Sequence, residues 1–535
     1  MRVVYHNGVV YTGSGFAEAF AVEDGVFSFV GTNAQARELS ADSFVDLRGR
    51  FVCAGFNDSH MHLLHYGQAL SMAPLACHTG SIAELVECLQ QYAQEHPNGL
   101  GGWLIGHGWN QDFFADAKRM PNRYDLDRVS LSKPVCAVRA CGHVLSVNSK
   151  ALELLGVSAS SPQPEGGKIV MENGEPNGVF CDNAIRAVYA AMPLPTKDEV
   201  KDMLRAGCKK LNSFGVTSCQ SDDYIVFRAL PWQTVNEAFR ELADAGELTV
   251  RVYEQANFTN LSALREFAEA GNTTGAGDAY FRIGPLKMLG DGSLGPRTAY
   301  LSRPYADAPE TCGIPVFAQE TFDELIGYAN RHGMQAAIHA IGDGCLDRVL
   351  ASFEKALAEC PRSDHRHGIV HCQITRKDQL EKIAQLGLHI YAQTIFLDYD
   401  IHIVEQRVGK MLADTSYRWK TLMNRGVHVS NGSDCPVEEP NVMRGMQCAV
   451  TRKTICGDTD AYHKDEAFSV EEAIKSYTVE GAYASFEEAA KGAIETGMLA
   501  DFVVLDADPF KAKEIGKISV AATVSGGKPV FGELT

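Results

Sequence analysis

The stretch "GFNDSHMHLL", residues 55–64, places two histidines one residue apart, directly after a short apolar run. Side chains two residues apart in an extended strand point to the same face, so His60 and His62 can reach one ion together. The preceding letters predict a buried strand over residues 51–56 that ends in a polar loop, which is where barrels and open parallel sheets carry their chemistry. Taken alone, the pair is equally well explained by chance, because the chain holds 17 histidines.

Apolar runs that alternate with helical patterns follow along the chain, and together with the first run they number eight. Such alternation predicts right-handed βαβ units and a parallel sheet, and eight units predict a closed barrel. The runs are "RFVCAGF", "GVTSCQ", "LTVRVYE", "PLKMLG", "MQAAIHA", "HGIVHC", "LHIYAQ" and "GVHVSNG". The gap between the first two, residues 65–213, is too long for one crossover helix and predicts an inserted subdomain. In that insert, "GKIVMENGEPNGVF" predicts a hairpin, with turn residues at Asn173-Gly174 and Asn177-Gly178.

Short strand patterns occupy both ends of the chain, with turn pairs at Asn7-Gly8 and Asp24-Gly25 near the start and Gly526-Gly527 near the end. Neither end is long enough to bury a core by itself, so we expect the two to form one small domain together. The predicted organisation is a small β domain of residues 1–52 plus 488–535, a (β/α)8 barrel of 53–70 plus 200–487, and an inserted α+β subdomain of 71–199.

Composition favours a soluble enzyme that acts on a small molecule. The chain has 535 residues, is 45% hydrophobic and 22% charged, and carries a formal net charge of −18, which argues against nucleic acid and anionic membrane surfaces as partners. The N-terminal residues do not resemble a secretory signal, and no apolar run approaches the ~20 residues of a membrane span. Fifteen scattered cysteines without a CxxC pair predict reduced thiols and a cytoplasmic location. A homodimer is the commonest expectation for such an enzyme.

Polar residues stand at the ends of the predicted barrel strands, each in otherwise apolar sequence. Singly, each is explained as a buried core residue with a satisfied partner. Together they predict a nitrogen and oxygen site for one or two divalent metal ions, with zinc favoured and manganese, iron or cobalt as alternatives. These residues are His60, His62, Lys287, His339, His371 and Asp434.

The chain resembles the amidohydrolase superfamily, in particular amidohydrolase family 3, the YtcJ-like group that includes N-substituted formamide deformylase. The resemblance covers nearly the whole length, and its motifs are specific as an ordered set. They are "GFNDSHMHL", "GWNQ", "GHVLSVNSKAL", "GEPNGVF", "DGSLGPRTAYL", "HAIGDG", "GSDCPVEEPN" and "KGAIETGMLADFVVLDADP".

This resemblance implies a distorted (β/α)8 barrel, with a composite β-sandwich built from both termini. It also implies metal-assisted hydrolysis of an amide-type C–N bond other than a peptide bond. It implies metal-ligand roles for the four histidines and Asp434, and a carboxylated lysine at Lys287. Two departures bear on substrate: Cys345 follows "HAIGDG", and "GVTSCQSDD" lacks the usual histidine or acidic pattern of the second strand.

The implied chemistry assigns further roles. Asp434 is predicted to touch the metal and to carry a proton from water to the leaving nitrogen. His143 is a candidate donor to the tetrahedral oxyanion, with a structural role as an equal alternative. Trp109 and Arg297 are candidate walls of the substrate pocket, against the alternatives of core packing and a salt bridge.

Two other functions remain open at this point. A heterocycle deaminase with a single metal would not need Lys287 as a ligand. A catalytically silent binding or regulatory scaffold would be marked by the loss of a ligand or of the aspartate, yet all of these residues are present.

Overall fold

The computed structural model describes residues 1–78, 80–141, 143–227 and 229–534. The chain divides into two compact units. The first, here called the barrel unit, consists of Met1–Leu63, Cys208–Ile225 and Arg240–Thr535, and the second unit consists of Leu64–Gly207 and Val226–Phe239. The predicted boundaries of three domains stay a prediction.

The strands are β1 (Arg2–His6), β2 (Val9–Tyr11), β3 (Phe16–Ala17), β4 (Ala19–Glu23), β5 (Val26–Gly31), β6 (Ser43–Asp46), β7 (Phe51–Ala54), β8 (Phe56–Met61), β9 (Ala73–Pro74), β10 (Leu104–Trp109), β11 (Val135–Arg139), β12 (Val144–Val147), β13 (Gly167–Glu172), β14 (Glu175–Asp182), β15 (Val216–Ser221), β16 (Arg251–Asn257), β17 (Phe281–Leu289), β18 (Ala336–Ala340), β19 (Gly368–His371), β20 (His389–Ala392), β21 (Val429–Asn431), β22 (Phe502–Leu505), β23 (Val520–Ser525) and β24 (Lys528–Gly532).

The α-helices are α1 (Asn33–Arg37), α2 (Leu63–Leu70), α3 (Ile82–Glu95), α4 (Arg123–Asp127), α5 (Ser149–Leu155), α6 (Ile185–Ala191), α7 (Lys197–Asn212), α8 (Trp232–Asp244), α9 (Leu261–Glu269), α10 (Gln319–Arg331), α11 (Asp343–Glu359), α12 (Lys377–Leu386), α13 (Leu397–Asp400), α14 (Val404–Val408), α15 (Lys410–Ala413), α16 (Trp419–Met423), α17 (Val442–Thr451), α18 (Val470–Ser476) and α19 (Val479–Ala484). None of the helices in the described part of the chain combines the length and the apolar character that a membrane span requires.

Eight parallel strands form one sheet in the order β8-β15-β16-β17-β18-β19-β20-β21. These strands are buried almost throughout, which is why their sequences are continuous apolar runs rather than alternating patterns. The outermost strands, β8 and β21, are joined where they end: Asp434 N donates to His60 O, and His62 N donates to Cys435 O, both at 2.8 Å. The (β/α)8 barrel predicted from the sequence is confirmed.

The two chain ends build two further sheets in the barrel unit, with strand orders β5-β4-β1-β6 and β3-β2-β7-β22-β23-β24. In the second of these, β7 pairs antiparallel with β22, so that Cys53 lies opposite Val503. Side chains from both sheets and both chain ends share one hydrophobic core, which includes Tyr5, Phe20, Phe27, Phe502, Val504 and Val524. The composite β-sandwich is therefore confirmed.

The second unit is built on a mixed sheet in the order β13-β14-β12-β11-β10-β9. One apolar cluster joins α3 to this sheet through Leu85 and Leu104, and another joins α5 and α6 to it through Leu152 and Ile105. This is the α+β architecture expected of the inserted segment.

The prediction for the first barrel strand is wrong in its position. Residues 51–54 form β7 of the terminal sheet, and the barrel strand begins at Phe56, so His60 lies within the strand rather than in the following loop. Gly55 alone separates the two strands. A Cβ atom at this position would lie 2.2 Å from Thr217 Oγ1, so the chain passes from one sheet to the other at a point where only glycine fits.

The predicted hairpin turns are partly correct. Those at Asp24-Gly25, Asn173-Gly174 and Gly526-Gly527 are confirmed by the registers of their strand pairs. At Asn7-Gly8 the hairpin is wrong, because β1 and β2 belong to different sheets and the turn carries the chain between them. Asn177-Gly178 lies inside β14 beside a register shift, where Gly178 has φ of 91°.

A buried ion pair fastens the barrel to the terminal sheet within the barrel unit. Arg251 of β16 donates from Nε to Asp501 Oδ2 at 2.7 Å and from Nη2 to Oδ1 at 3.1 Å. Both side chains are buried, and Gly526 N also donates to the Asp501 carboxylate.

We predict that Arg251→Met lowers the free energy of unfolding by about 3–5 kcal/mol, because it leaves a buried carboxylate without its partner. The double variant Arg251→Met/Asp501→Leu should be more stable than the single variant, since it removes the unpaired charge. Denaturant unfolding of the three proteins measures this. A single variant as stable as the wild type would contradict the prediction.

Candidate metal centre

Four imidazoles meet at the C-terminal ends of the barrel strands. His60 lies in β8, His62 directly follows it, His339 lies in β18, and His371 ends β19. The ring centroid of His60 is 5.3 Å from that of His62 and 5.7 Å from that of His371, and the rings of His339 and His371 are 4.5 Å apart. The structure thus brings together the four histidines that the sequence singled out.

Asp434 joins this group from the loop after β21. Its Oδ1 lies 3.3 Å from His60 Nε2 and 3.2 Å from His62 Nε2. Among the described residues, the ligand atoms of these three side chains all lie within 4.8 Å of one another, which is close enough to hold one cation.

Each imidazole has its Nδ1 next to an acceptor of the protein, which leaves Nε2 for the centre of the group. The contacts are His60 to Gln255 Oε1 (2.8 Å), His62 to the Asp222 carbonyl oxygen (2.8 Å), His339 to Asp291 Oδ1 (3.0 Å) and His371 to Gln393 Oε1 (2.7 Å). The contact of His339 is within ion-pair distance but lacks the alignment of a hydrogen bond. Such partners fix the tautomer and the ring orientation of histidines that bind metals.

The loop that carries Asp434 is held by a buried carboxylate of β8. Asp58 accepts hydrogen bonds from Ser433 N at 3.0 Å and from Ser433 Oγ at 2.5 Å, and His60 N also donates to it at 3.3 Å. Burial raises the pKa of Asp58 to about 7, although these hydrogen bonds oppose the shift. The loop places Asp434 in the left-handed region, with φ of 58°, and His371 is held there too, with φ of 76°. Strained residues of this kind concentrate at functional sites.

Burial determines the charge of the imidazoles. It lowers the pKa of His60 to about 4, with help from the charge of Lys287, and it lowers the pKa of His371 well below its usual value. Both rings are therefore neutral at pH 7, which is the form that binds a metal. Burial also raises the pKa of Asp434, but the close contacts with His60 and His62 outweigh this effect, and the carboxyl group is ionised.

Lys287 lies in β17 and is completely buried. Its Nζ is 3.8 Å from Asp222 Oδ2 and makes no hydrogen bond within the described residues. Burial lowers the pKa of this amine, while the charges of Asp222 and Asp434 oppose the shift. Asp291 follows β17 but is not the partner of Lys287, because it accepts hydrogen bonds from backbone N–H groups of loop residues and lies beside His339.

The other predicted residues have the following places. His143 is exposed in the second unit, and its carbonyl oxygen accepts from Asp182 N. Trp109 is fully buried in the core of the second unit and donates from its indole N–H to Ala137 O. Arg297 forms a two-point ion pair with Asp307 in the barrel unit. These contacts match the structural alternatives for Trp109 and Arg297, and roles of the three residues toward substrate stay predictions.

Sequence reasoning missed the partners of the histidines. Asp222 follows β15 within the "GVTSCQSDD" stretch that lacked the usual pattern, and it reaches both His62 and Lys287. Gln255 directly follows the predicted strand "LTVRVYE", and Gln393 is the last residue of the predicted strand "LHIYAQ". The signal that identified the histidines, a polar residue at the end of an apolar strand, is also present at these three positions.

The donor set fits a divalent transition metal. Imidazole nitrogen and carboxylate oxygen are the ligands that zinc and its neighbours accept, and second contacts at Nδ1 complete such sites. The neutral rings of His60 and His371 and the ionised Asp434 need no further change of protonation to act as ligands. His62 differs: burial lowers its pKa, but Asp434 raises it to about 9, so a metal ion has to displace its proton.

The fold and the site define the class of protein: a parallel (β/α)8 barrel with a candidate metal centre of four histidines and one aspartate at its strand ends. The chain belongs to the amidohydrolase family, whose model matches residues 43–531. It is similar to the protein YtcJ of Bacillus subtilis, with 32% identity over 99% of both chains. It is also similar to N-substituted formamide deformylase of Arthrobacter pascens, with 25% identity over 96% of this chain and 94% of that protein.

A solved structure resembles the fold over nearly the whole chain. An uncharacterised metal-dependent hydrolase from Pyrococcus horikoshii superposes with a TM-score of 0.79 and 29% identity, covering 96% of this chain and 99% of that one. The barrel with its terminal sheets and inserted segment is thus an architecture shared with a relative of similar length.

We predict that His60→Ala and His371→Ala each lower both the bound metal and the thermal stability of metal-loaded protein, because a cation that binds the folded state stabilises it. Metal analysis after gel filtration and thermal melts with and without added Zn²⁺ measure this. His428→Ala is the matched control, since His428 precedes β21 at the end opposite Asp434 and contacts Glu480. Equal losses in all three variants would argue against the centre.

Proposed function

We propose that the protein is a metal-dependent hydrolase that cleaves the C–N bond of a small amide-type substrate, such as an N-substituted formamide or an N-acyl amine. The observation that carries this proposal is the convergence of four imidazoles and one ionised carboxylate at the mouth of a barrel. Membership of the amidohydrolase family and similarity to a deformylase support the choice of bond. Zinc is the proposed cofactor, and the cytoplasm is the proposed location of the enzyme.

The histidines and Asp434 would hold the ion. When bound, a divalent metal supplies positive charge that polarises a substrate carbonyl and lowers the pKa of water toward ~7. The protein contributes neutral ligands at His60 and His371, so that little of this positive charge is neutralised by the ligands themselves.

Asp434 is proposed as the general base and acid. Its carboxylate is ionised, is 8% exposed and contacts His60 and His62, so it can accept a proton from the attacking water. As the bond between the water oxygen and the carbonyl carbon forms and the C–N bond breaks, the same proton passes to the leaving nitrogen. Transfers of this kind contribute typically ~10²- to 10⁴-fold. His143 remains the proposed donor to the oxyanion.

We expect metal-loaded protein to hydrolyse at least one member of a panel of N-substituted formamides, N-acyl amines and lactams. Asp434→Asn should lower kcat on that substrate by at least ~10²-fold while most of the metal is retained, since it keeps an oxygen ligand but removes the proton acceptor. Amine release and metal content measure both effects. Absence of turnover on the whole panel would refute the proposal and favour a silent scaffold, and near-normal kcat in the variant would refute the role of Asp434.

The chemical state of Lys287 determines whether the centre would hold one metal ion or two. A deprotonated amine reacts with carbon dioxide to give a carbamate and release a proton, and the two carbamate oxygens would hold two ions. The buried Nζ without a hydrogen bond favours this modification. The nearby Asp222 carboxylate favours the alternative, in which Lys287 stays an ammonium beside its counter-ion and a single-metal centre performs deamination of a heterocycle.

We predict that Lys287→Ala loses activity and one of two metal equivalents, and that short carboxylic acids added to the buffer partly restore both by supplying the missing oxygens. Lys491→Ala is the control for deleting a buried lysine, because Lys491 pairs with Glu487. Metal analysis and turnover with and without acetate or propionate measure the effects. A Lys287→Ala protein with unchanged metal content and full activity would exclude the carbamate, and one metal ion per wild-type chain would favour the deaminase.

A further inference from the structure

Two buried glutamines stand behind two of the four imidazoles. Gln255 in β16 is completely buried, and its Oε1 lies 2.8 Å from His60 Nδ1. Gln393, directly after β20, is 1% exposed, and its Oε1 lies 2.7 Å from His371 Nδ1. The two side chains come from different strands and make the same contact.

Backbone carbonyls fix the orientation of both amides. Gln255 Nε2 donates to Ser59 O at 3.3 Å, and Gln393 Nε2 donates to Tyr391 O at 3.0 Å. A carbonyl oxygen can only accept a hydrogen bond, so the NH₂ end of each amide must face it. Rotating either amide by half a turn would set its oxygen against the backbone carbonyl oxygen and lose that hydrogen bond.

The fixed amides determine which ring nitrogen carries the proton. Because an amide oxygen accepts, the Nδ1 atom facing it must be the N–H donor, and the neutral ring then has its lone pair on Nε2. In His60 this is the nitrogen that faces Asp434. An imidazole with the opposite tautomer would turn an N–H toward the position of a cation.

The choice of amide over carboxylate also has an electrostatic reason. His339 has a carboxylate behind it, that of Asp291, and the buried carboxylates of Asp222 and Asp434 lie nearby. A glutamate behind His60 or His371 would add another buried negative charge and strengthen the ring as a donor, which would neutralise more of the charge of a cation. A glutamine fixes the proton without adding charge.

We propose that Gln255 and Gln393 are positioning residues, which fix the proton of His60 and His371 on Nδ1 and so direct both Nε2 lone pairs to the metal centre. This inference rests on the metal centre of the proposed function.

The test uses the variants Gln255→Met and Gln393→Met, which keep nearly the same volume but lack the acceptor. Each should weaken Zn²⁺ binding by about 10- to 100-fold in competition with a chelating dye. Gln220→Met is the matched control: Gln220 is a completely buried glutamine of the neighbouring strand β15 whose Nε2 donates to Gly481 O. Its loss should lower the melting temperature but leave Zn²⁺ affinity unchanged.

Gln255→Glu and Gln393→Glu supply the rescue, because a carboxylate keeps the acceptor at Nδ1. They should bind Zn²⁺ at least as tightly as the wild type, and they decide the question if the methionine variants do not fold. Zn²⁺ affinity equal to the wild type in the methionine variants, or weakened in the glutamate variants, would overturn the positioning role. A wild-type protein that fails to bind Zn²⁺, Mn²⁺, Fe²⁺ and Co²⁺ would instead refute the metal centre itself.

Discussion

The hydrogen bonds between β8 and the loop after β21 are the constraint on which the rest of the barrel depends. Asp58 binds Ser433 through backbone and side chain, and Asp434 N donates to His60 O. The same bonds that join the first and last strands also bring the aspartate to the first two histidines. Fold closure and site assembly are therefore one event, and an error of register at this seam would separate the two halves of the centre.

The centre is assembled from groups that are costly to bury. Imidazoles, a lysine and several carboxylates lie together with almost no exposed surface. The protein limits this cost in two ways. Burial keeps His60 and His371 neutral, and amide or backbone acceptors occupy one nitrogen of three of the four rings. The result is a set of nitrogen donors whose orientation is determined before any ion arrives, so that binding does not require rearrangement of the rings.

Much of the fold could be predicted from the sequence, because strands buried on both faces must be apolar throughout. The candidate ligands of the barrel could be found for a related reason: His339 and His371 are conspicuous in apolar strands. The division of the first apolar run at Gly55 could not be predicted, because an apolar sequence is the same in a strand of either sheet. Only the close approach of Thr217 to Gly55 in the structure marks the boundary between the two strands. The roles of Gln255 and Gln393 could not be predicted either, because a neutral amide is neither charged nor a preferred metal ligand. Their contribution depends on the orientation of the amide group, which only the structure shows.

The single glycine between β7 and β8 has a consequence for the order of folding. β7 lies between β2, only about forty residues earlier, and β22, whose register places Cys53 opposite Val503. A ribosome therefore has to add about 450 further residues before β7 acquires its second neighbour, while β8, one residue further on, is needed from the start for the barrel. Contacts of such long sequence separation form slowly. During synthesis β7 therefore keeps one edge unpaired until β22 has emerged, although its partner β2 is present from the start.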